Sequence, residues 1–427
     1  MHTRKDAPAV GAEEARDGGT PAPLALIRER LDAALGDREL AAAARGLEAR
    51  LRLLCDGVGV DVVASPDGLR HEPVTGEADV RVAASDHTWE LVLAAAPPPR
   101  HQSFTALQLA NPAVEVSGDP LRIAQARPVL ERMFECLRPA PVRAQRPVRD
   151  LARIRGRYAR LAAADGAYDV HVEEAGEGPP VLLLHTAGAD SRQYQTLLAD
   201  AEIGARWRLI AFDCPFHGRS LPPEDWDGAE YRLSQERYLG WVTGFIEQAV
   251  GEPVVLVGCS MGAAIALVAA AERPALLRAV VALEPPLRSP GRRNPFLAHA
   301  RVSGGMHNAA YVRGLMSPTS PEGLRRRAGW IYAQGAPGVY AGDLAFYSDE
   351  FDGAAVAPRI DALRCPIHLM TGEYDYSATQ ADGEALARLI PHSRFHPMPG
   401  LGHFPMCENP ALFRRYFAPV LDEIGRG

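Results

Sequence analysis

A serine hydroxyl becomes a useful nucleophile only where a base can take its proton. The run VVLVGCSMGAAIALVAA, residues 254–270, holds a serine in an unusual setting. Ser260 lies between Gly258 and Gly262, with Cys259 and Met261 on either side. The apolar residues before it read as a buried strand and the alanine-rich residues after it as a helix. Small residues two before and two after the serine suit a sharp strand-to-helix turn, where larger side chains would collide with backbone. Such a turn either lets a strand and a helix pack closely or presents a hydroxyl for attack. The second use requires a base and an acid to orient it. His403, in MPGLGHFPMCENP, occupies a glycine-bounded loop before the last helical pattern. The acids on offer are Glu373 and Asp375 in TGEYDYSATQ, and Glu284 in VALEPP.

The elements that must position these groups follow a regular rhythm after residue 156. Strand patterns are RYARLAAA, YDVHVEEAG, PVLLLH, RLIAFD, PVVLVGCS, AVVALE, PIHLMTG and SRFHPM. Helical patterns at 234–250, 261–273, 379–390 and 409–424 separate the later ones. The first two strands form a hairpin, and the rest predict a mainly parallel sheet with helices on both faces. The fold class is therefore α/β for residues 157–427.

With its strand before and helix after, Gly-Cys-Ser-Met-Gly resembles the nucleophile elbow of the α/β-hydrolase superfamily. That resemblance implies the chain order nucleophile, acid, base. It makes Ser260 the nucleophile, His403 the base and Asp375 the acid, three residues after Gly372, with Glu284 the alternative acid. It implies an oxyanion hole from the backbone of Met261 and of Ala187, in the loop HTAGAD after PVLLLH. Thr186 stands where the family commonly has glycine. His185 and the histidine of FDCPFHGRS, His217, are expected to be structural. The insertion at 287–362 is expected to be a helical cap, with helices near 307–316, 321–334 and 341–350. Trp330, Tyr332, Tyr347 and His307 are its candidate substrate-pocket residues, although the aromatics can equally pack the cap's own core.

Before residue 139 the pattern differs. Two helical patterns span residues 24–55, the second through Leu40, Leu47, Leu51 and Leu54. Strands follow in VGVDVVAS, ADVRVAAS and AVEVSG, with a helix capped by Asp86 and a long one capped by Asp119, kinked at Pro128. The stretch from ADVRVAAS through VSGDP to the long helix resembles a sterol-carrier-like domain. The resemblance implies a smaller α+β domain at 23–138 that binds a lipophilic ligand, or else serves as a scaffold or a homodimer contact. Residues 1–22 read as a disordered tail, and the proline- and arginine-rich 139–156 as a linker.

Composition narrows the partners. A net charge of −7 without basic clusters argues against nucleic acid. No run suits a membrane span, the start lacks a secretory signal, and six scattered cysteines without C-x-x-C spacing predict neither zinc nor a disulfide framework. The expectation is a cytoplasmic serine hydrolase, without metal or cofactor, that cleaves an ester, lactone or related acyl bond of a small lipophilic substrate. Carbon–carbon hydrolysis of a diketone, acyl transfer, and a non-catalytic receptor-like role are the alternatives.

Overall fold

The protein is described by a computed structural model covering residues 22–139 and 149–426. Residues 1–21 of the expected disordered tail and 140–148 of the expected linker lie outside the described residues; Ala22 already opens the first helix, and the linker's last residues open the first strand of the larger sheet.

The N-terminal unit holds a five-stranded sheet of β1 (Ala49–Cys55), β2 (Val58–Ser65), β3 (Gly68–Pro73), β4 (Val80–Ala84) and β5 (Val114–Gly118), in the order β3-β2-β1-β4-β5. Only the β1/β4 pair is parallel. The helices Ala22–Ala34 and Pro120–Cys136 pack against it around Leu24, Trp89, Phe104 and Phe134. The second helical pattern is a misreading. The helix from Arg38 ends at Ala43, Gly46 turns the chain at φ 77°, and Leu51 lies in β1. Leucines at 40, 47, 51 and 54 satisfy a helical period, but Ala49, Leu51, Leu53 and Cys55 are the fully buried alternation of a strand. The strand β3 and the helix Phe104–Ala110 carried too little periodicity to be seen. The cap of the helix Asp86–Leu93 is Ser85, whose hydroxyl accepts from Thr88 N at 3.3 Å, rather than Asp86.

The second unit is an eight-stranded mixed sheet: β6 (Arg155–Ala163), β7 (Gly166–Ala175), β8 (Pro180–Leu184), β9 (Arg208–Phe212), β10 (Val254–Cys259), β11 (Leu277–Leu283), β12 (Ile367–Gly372) and β13 (Arg394–Met398). Their order is β13-β12-β11-β10-β8-β9-β7-β6. β6 and β7 form the hairpin, β7 meets β9 antiparallel, and every other neighbour is parallel. All six residues of β10 are buried, as a central strand covered on both faces requires. The loops after β8, β9, β10, β11, β12 and β13 leave from the carboxyl ends of parallel strands, where open α/β sheets gather their ligands.

Between β11 and β12 the chain builds the expected helical insertion, with helices Gly304–Arg313, Glu322–Ala333 and Val339–Leu344 and a wider π-turn at Ala345–Glu350. The N-terminal unit is fastened to this insertion and to the loop after β12. Glu135, half-buried, meets Arg132, Arg313 and Arg325. Burial pushes its carboxyl up, but the three guanidiniums bring it well below the usual range. Ser103 Oγ donates to Gly314 O at 2.7 Å, and Gln102 Nε2 to Tyr374 O at 3.0 Å. Glu39, Glu135 and Glu322 also converge closely enough to suggest a metal site, but arginines already occupy them.

Candidate active site

The turn after β10 holds Ser260 at φ 56°, ψ −111°, a conformation that costs a non-glycine residue energy. It persists because the surroundings leave no alternative. A Cβ at Gly258 would sit 2.0 Å from Gly262 O, and one at Gly262 would sit 2.7 Å from Leu184 O. Strand and helix therefore approach closely only with these glycines, and the approach turns the Ser260 side chain out of the sheet's end.

Ser260 Oγ lies 2.9 Å from His403 Nε2, and His403 Nδ1 lies 2.6 Å from Asp375 Oδ2. The other Asp375 oxygen accepts from Ser377 N at 2.7 Å and Ala378 N at 3.1 Å. All three side chains are buried. Burial pushes the Asp375 carboxyl up, but His403 and its hydrogen bonds hold it below its ordinary range. An ionised Asp375 accepting from Nδ1–H leaves Nε2 as the acceptor facing the serine hydroxyl.

Glu284 does not reach His403. Both its oxygens accept from Gly372 N at 3.0 Å, and its carboxyl lies against Asp375. Burial and the neighbouring Asp375 charge push Glu284 well up, so it is the protonated member of a carboxyl pair and donates to Asp375. Glu373 instead accepts from Gly400 N at 2.9 Å on the surface.

Two backbone donors in these loops have no acceptor among the described residues. Met261 N opens a helix and has no intrahelical acceptor. In the loop after β8, Thr186 N is taken by Gln193 Oε1 at 3.0 Å and Gly188 N by Asp343 Oδ2 at 2.7 Å. Ala187 N is left between them. Cys259 points elsewhere, donating to His403 O at 3.3 Å, and burial pushes its thiol well up.

The four cap candidates separate. Tyr347 and Tyr332 are buried, the first with its hydroxyl against Ser260 and 3.2 Å from Ser289 Oγ, the second hydrogen-bonded to Thr186 Oγ1. His307 is buried beside Tyr311, and burial pushes its imidazole down to about 4. Trp330 is 66% exposed and cannot line the site; the helix Glu322–Ala333 turns the face bearing Tyr332 inward, and residue 330 falls on the other.

Two carboxylates that the sequence did not single out fix the loops. Asp343, on the cap, receives Gly188 N, His217 Nε2 at 2.8 Å and the Tyr231 hydroxyl at 2.8 Å. His217 also bonds Pro215 O through Nδ1 at 2.9 Å, so both ring nitrogens donate. Burial alone would push His217 down, yet Asp343 raises it. This buried ion pair ties the β8 loop, the β9 loop and the cap together. Replacing Asp343 with alanine strands a buried imidazolium and is expected to cost about 3–5 kcal/mol, read as a lower urea midpoint. Only its burial and its distance from the serine in sequence could have flagged it. His185 is structural as expected, accepting from Cys214 N at 3.1 Å.

Glu408 does the same for the base. It accepts from Gly402 N at 2.7 Å, Ser317 N at 3.2 Å and Ser320 Oγ at 3.0 Å, while His403 N donates to Leu315 O at 3.1 Å. Burial raises its carboxyl to about 7 from 4.5. The native state therefore holds a proton that the unfolded chain has released between those values. The resulting stability is present below pH 4.5 and lost as pH rises through 7. Urea titrations of Glu408→Gln across that window should remove up to about 3 kcal/mol of this pH dependence.

The chain belongs to the alpha/beta hydrolase family, whose sequence profile matches residues 181–415. The 2-(acetamidomethylene)succinate hydrolase of Mesorhizobium japonicum is 32% identical over 119 residues, 28% of this chain and 40% of that protein. At 20% identity, an esterase from Thermogutta terrifontis aligns with a TM-score of 0.54 over 63% of this chain and 99% of its own. An enol-lactonase from Burkholderia xenovorans LB400, also 20% identical, gives 0.53 over 63% and 100%. The chain spans at most 40% of the length of the curated relatives it matches. Among the described residues no helix is long and apolar enough to cross a membrane.

Proposed function

We propose that the protein is a serine hydrolase that cleaves an ester, lactone or related acyl bond of a small molecule through an acyl-enzyme. The observation that carries this reading is the hydrogen-bonded row from Ser260 through His403 to Asp375 at the carboxyl end of the sheet. Ser260 attacks the acyl carbon while His403 takes its proton, and Asp375 holds the imidazole tautomer and stabilises the imidazolium. The Met261 and Ala187 amides receive the oxyanion, which is where most of the rate gain in such sites arises. His403 then protonates the leaving group and activates water to release the acyl group. Relatives named as an enol-lactonase and a 2-(acetamidomethylene)succinate hydrolase favour acyl bonds over carbon–carbon bonds. The N-terminal unit, sterol-carrier-like in its order of elements, serves in this reading to close the cap and to admit substrates with an apolar body. Six free cysteines fit a reducing compartment such as the cytoplasm.

Stopped-flow turnover of a p-nitrophenyl ester tests the acyl-enzyme. One equivalent of p-nitrophenol should appear per active site before the steady state. Turnover of β-diketones with none of esters or lactones would contradict the acyl-bond reading.

A further inference from the structure

Several arginines with largely buried side chains meet a carboxylate: Arg52 meets Asp61, Arg132 meets Asp37, and Arg313 and Arg325 meet Glu135. Two in the cap region do not. Arg292, on the cap, and Arg127, on the long helix of the N-terminal unit, form no ion pair within 4 Å among the described residues, and each has a buried Nε without an acceptor. Both guanidiniums stand over one ring, Tyr311, at 5.3 and 5.2 Å. Both also act electrostatically on Tyr376, whose buried hydroxyl has no partner. Tyr376 follows Asp375 directly in the chain.

The two are not equivalent. Arg127 is partly engaged by neutral acceptors, Thr105 Oγ1 and Gln108 Oε1, each at 2.6 Å. Glu131, the carboxyl nearest to it, is turned to Thr105, and burial raises it to about 7. Arg292 has only tyrosines for company, Tyr311, Tyr340 and Tyr347, with the Tyr340 hydroxyl its one neutral acceptor. Tyr347 is the side chain whose hydroxyl lies against Ser260, and Tyr340 packs over Gly188 in the β8 loop. A buried cation without a counterion is costly, so such a group persists where an anion arrives to complete it. A guanidinium presents paired N–H donors that match the two oxygens of a carboxylate.

We propose that Arg292, backed by Arg127, is the anchor for a carboxylate on the substrate, so that the enzyme acts on acyl compounds with an apolar body and an anionic end. The N-terminal unit thereby contributes to the substrate site as well as closing it. This deepens the hydrolase reading and rests on it for turnover, though the binding step can be read separately.

The test compares two p-nitrophenyl esters of similar length, the hemiglutarate and the valerate, on the full chain. Wild type should favour the anionic ester in kcat/KM. In Arg292→Met the ratio of anionic to neutral kcat/KM should fall by about thirtyfold, as loss of a charged hydrogen-bonding partner implies, and Arg292→Lys should fall between. Equal kcat/KM for the two esters in wild type, or an equal loss on both in Arg292→Met, overturns the proposal. If neither ester is hydrolysed, calorimetry of monomethyl glutarate with Ser260→Ala reads the subsite by itself. Binding that disappears in Ser260→Ala/Arg292→Met supports the anchor even where the hydrolase reading has failed, and no binding to Ser260→Ala overturns it.

Discussion

Replacing Ser260 with alanine is expected to lower kcat by about 10⁵-fold or more while leaving KM nearly unchanged. The hydroxyl makes the bond that breaks the substrate, whereas substrate binding is assigned to the cap and the β8 loop. Only residual catalysis from the Met261 and Ala187 amides should survive. Cys259 cannot rescue the variant, because its thiol is buried, turned to His403 O and pushed far up by burial. A steady-state assay on an ester hydrolysed by the wild type reads this directly, with circular dichroism to show that the variant is folded. Ser260→Cys offers a second reading, since it keeps a nucleophile at the same turn. Activity within tenfold of wild type in Ser260→Ala would assign the chemistry to another group.

The second large effect falls on the acids. Asp375→Asn should lower kcat by about 10⁴-fold, because an amide at that position favours the wrong imidazole tautomer and cannot stabilise the imidazolium. Glu284→Gln should cost less than about tenfold. Glu284 already carries its proton, so a glutamine can accept from Gly372 N through Oε1 and donate to Asp375 through Nε2. The contrast separates an acid that acts on the base from one that supports the acid. Equal losses in both variants would mean that the pair works as one unit sharing a proton.

The contrast also shows what a sequence can and cannot carry. The buried strand, the glycines and the largely buried helix around Ser260 are local features, so the turn was legible from one short segment. Asp375 was legible because it follows a strand whose apolar run is plain, and His403 because it lies in a glycine-bounded loop between the last strand pattern and the last helical pattern. Glu284 could be named as an acid, but its place behind Asp375 depends on two strands lying side by side, which no local pattern records. Asp343 and Glu408 escaped for the same reason: each holds together loops far apart in sequence. Trp330 was misjudged because aromatic content says nothing of which helix face meets the site. The β1 region failed because leucines spaced for a helix also fit a strand, and Gly46 decided between them.

The arginines follow the same rule. Arg292 and Arg127 are unremarkable as letters among many, and they gain meaning only once Tyr311 and Tyr376 bring them together. Their pairing joins the N-terminal unit to the chemistry, and it gives the docking of that unit on the cap a use beyond stability.

The central claim is that Ser260 is an activated nucleophile held by His403. Incubation of the folded full chain with a fluorophosphonate, followed by peptide mass mapping, tests it most directly. The account predicts a single adduct on Ser260 that is lost in heat-unfolded protein and strongly slowed in His403→Ala. An unlabelled Ser260 in folded protein, or labelling that proceeds equally well without His403, would contradict it.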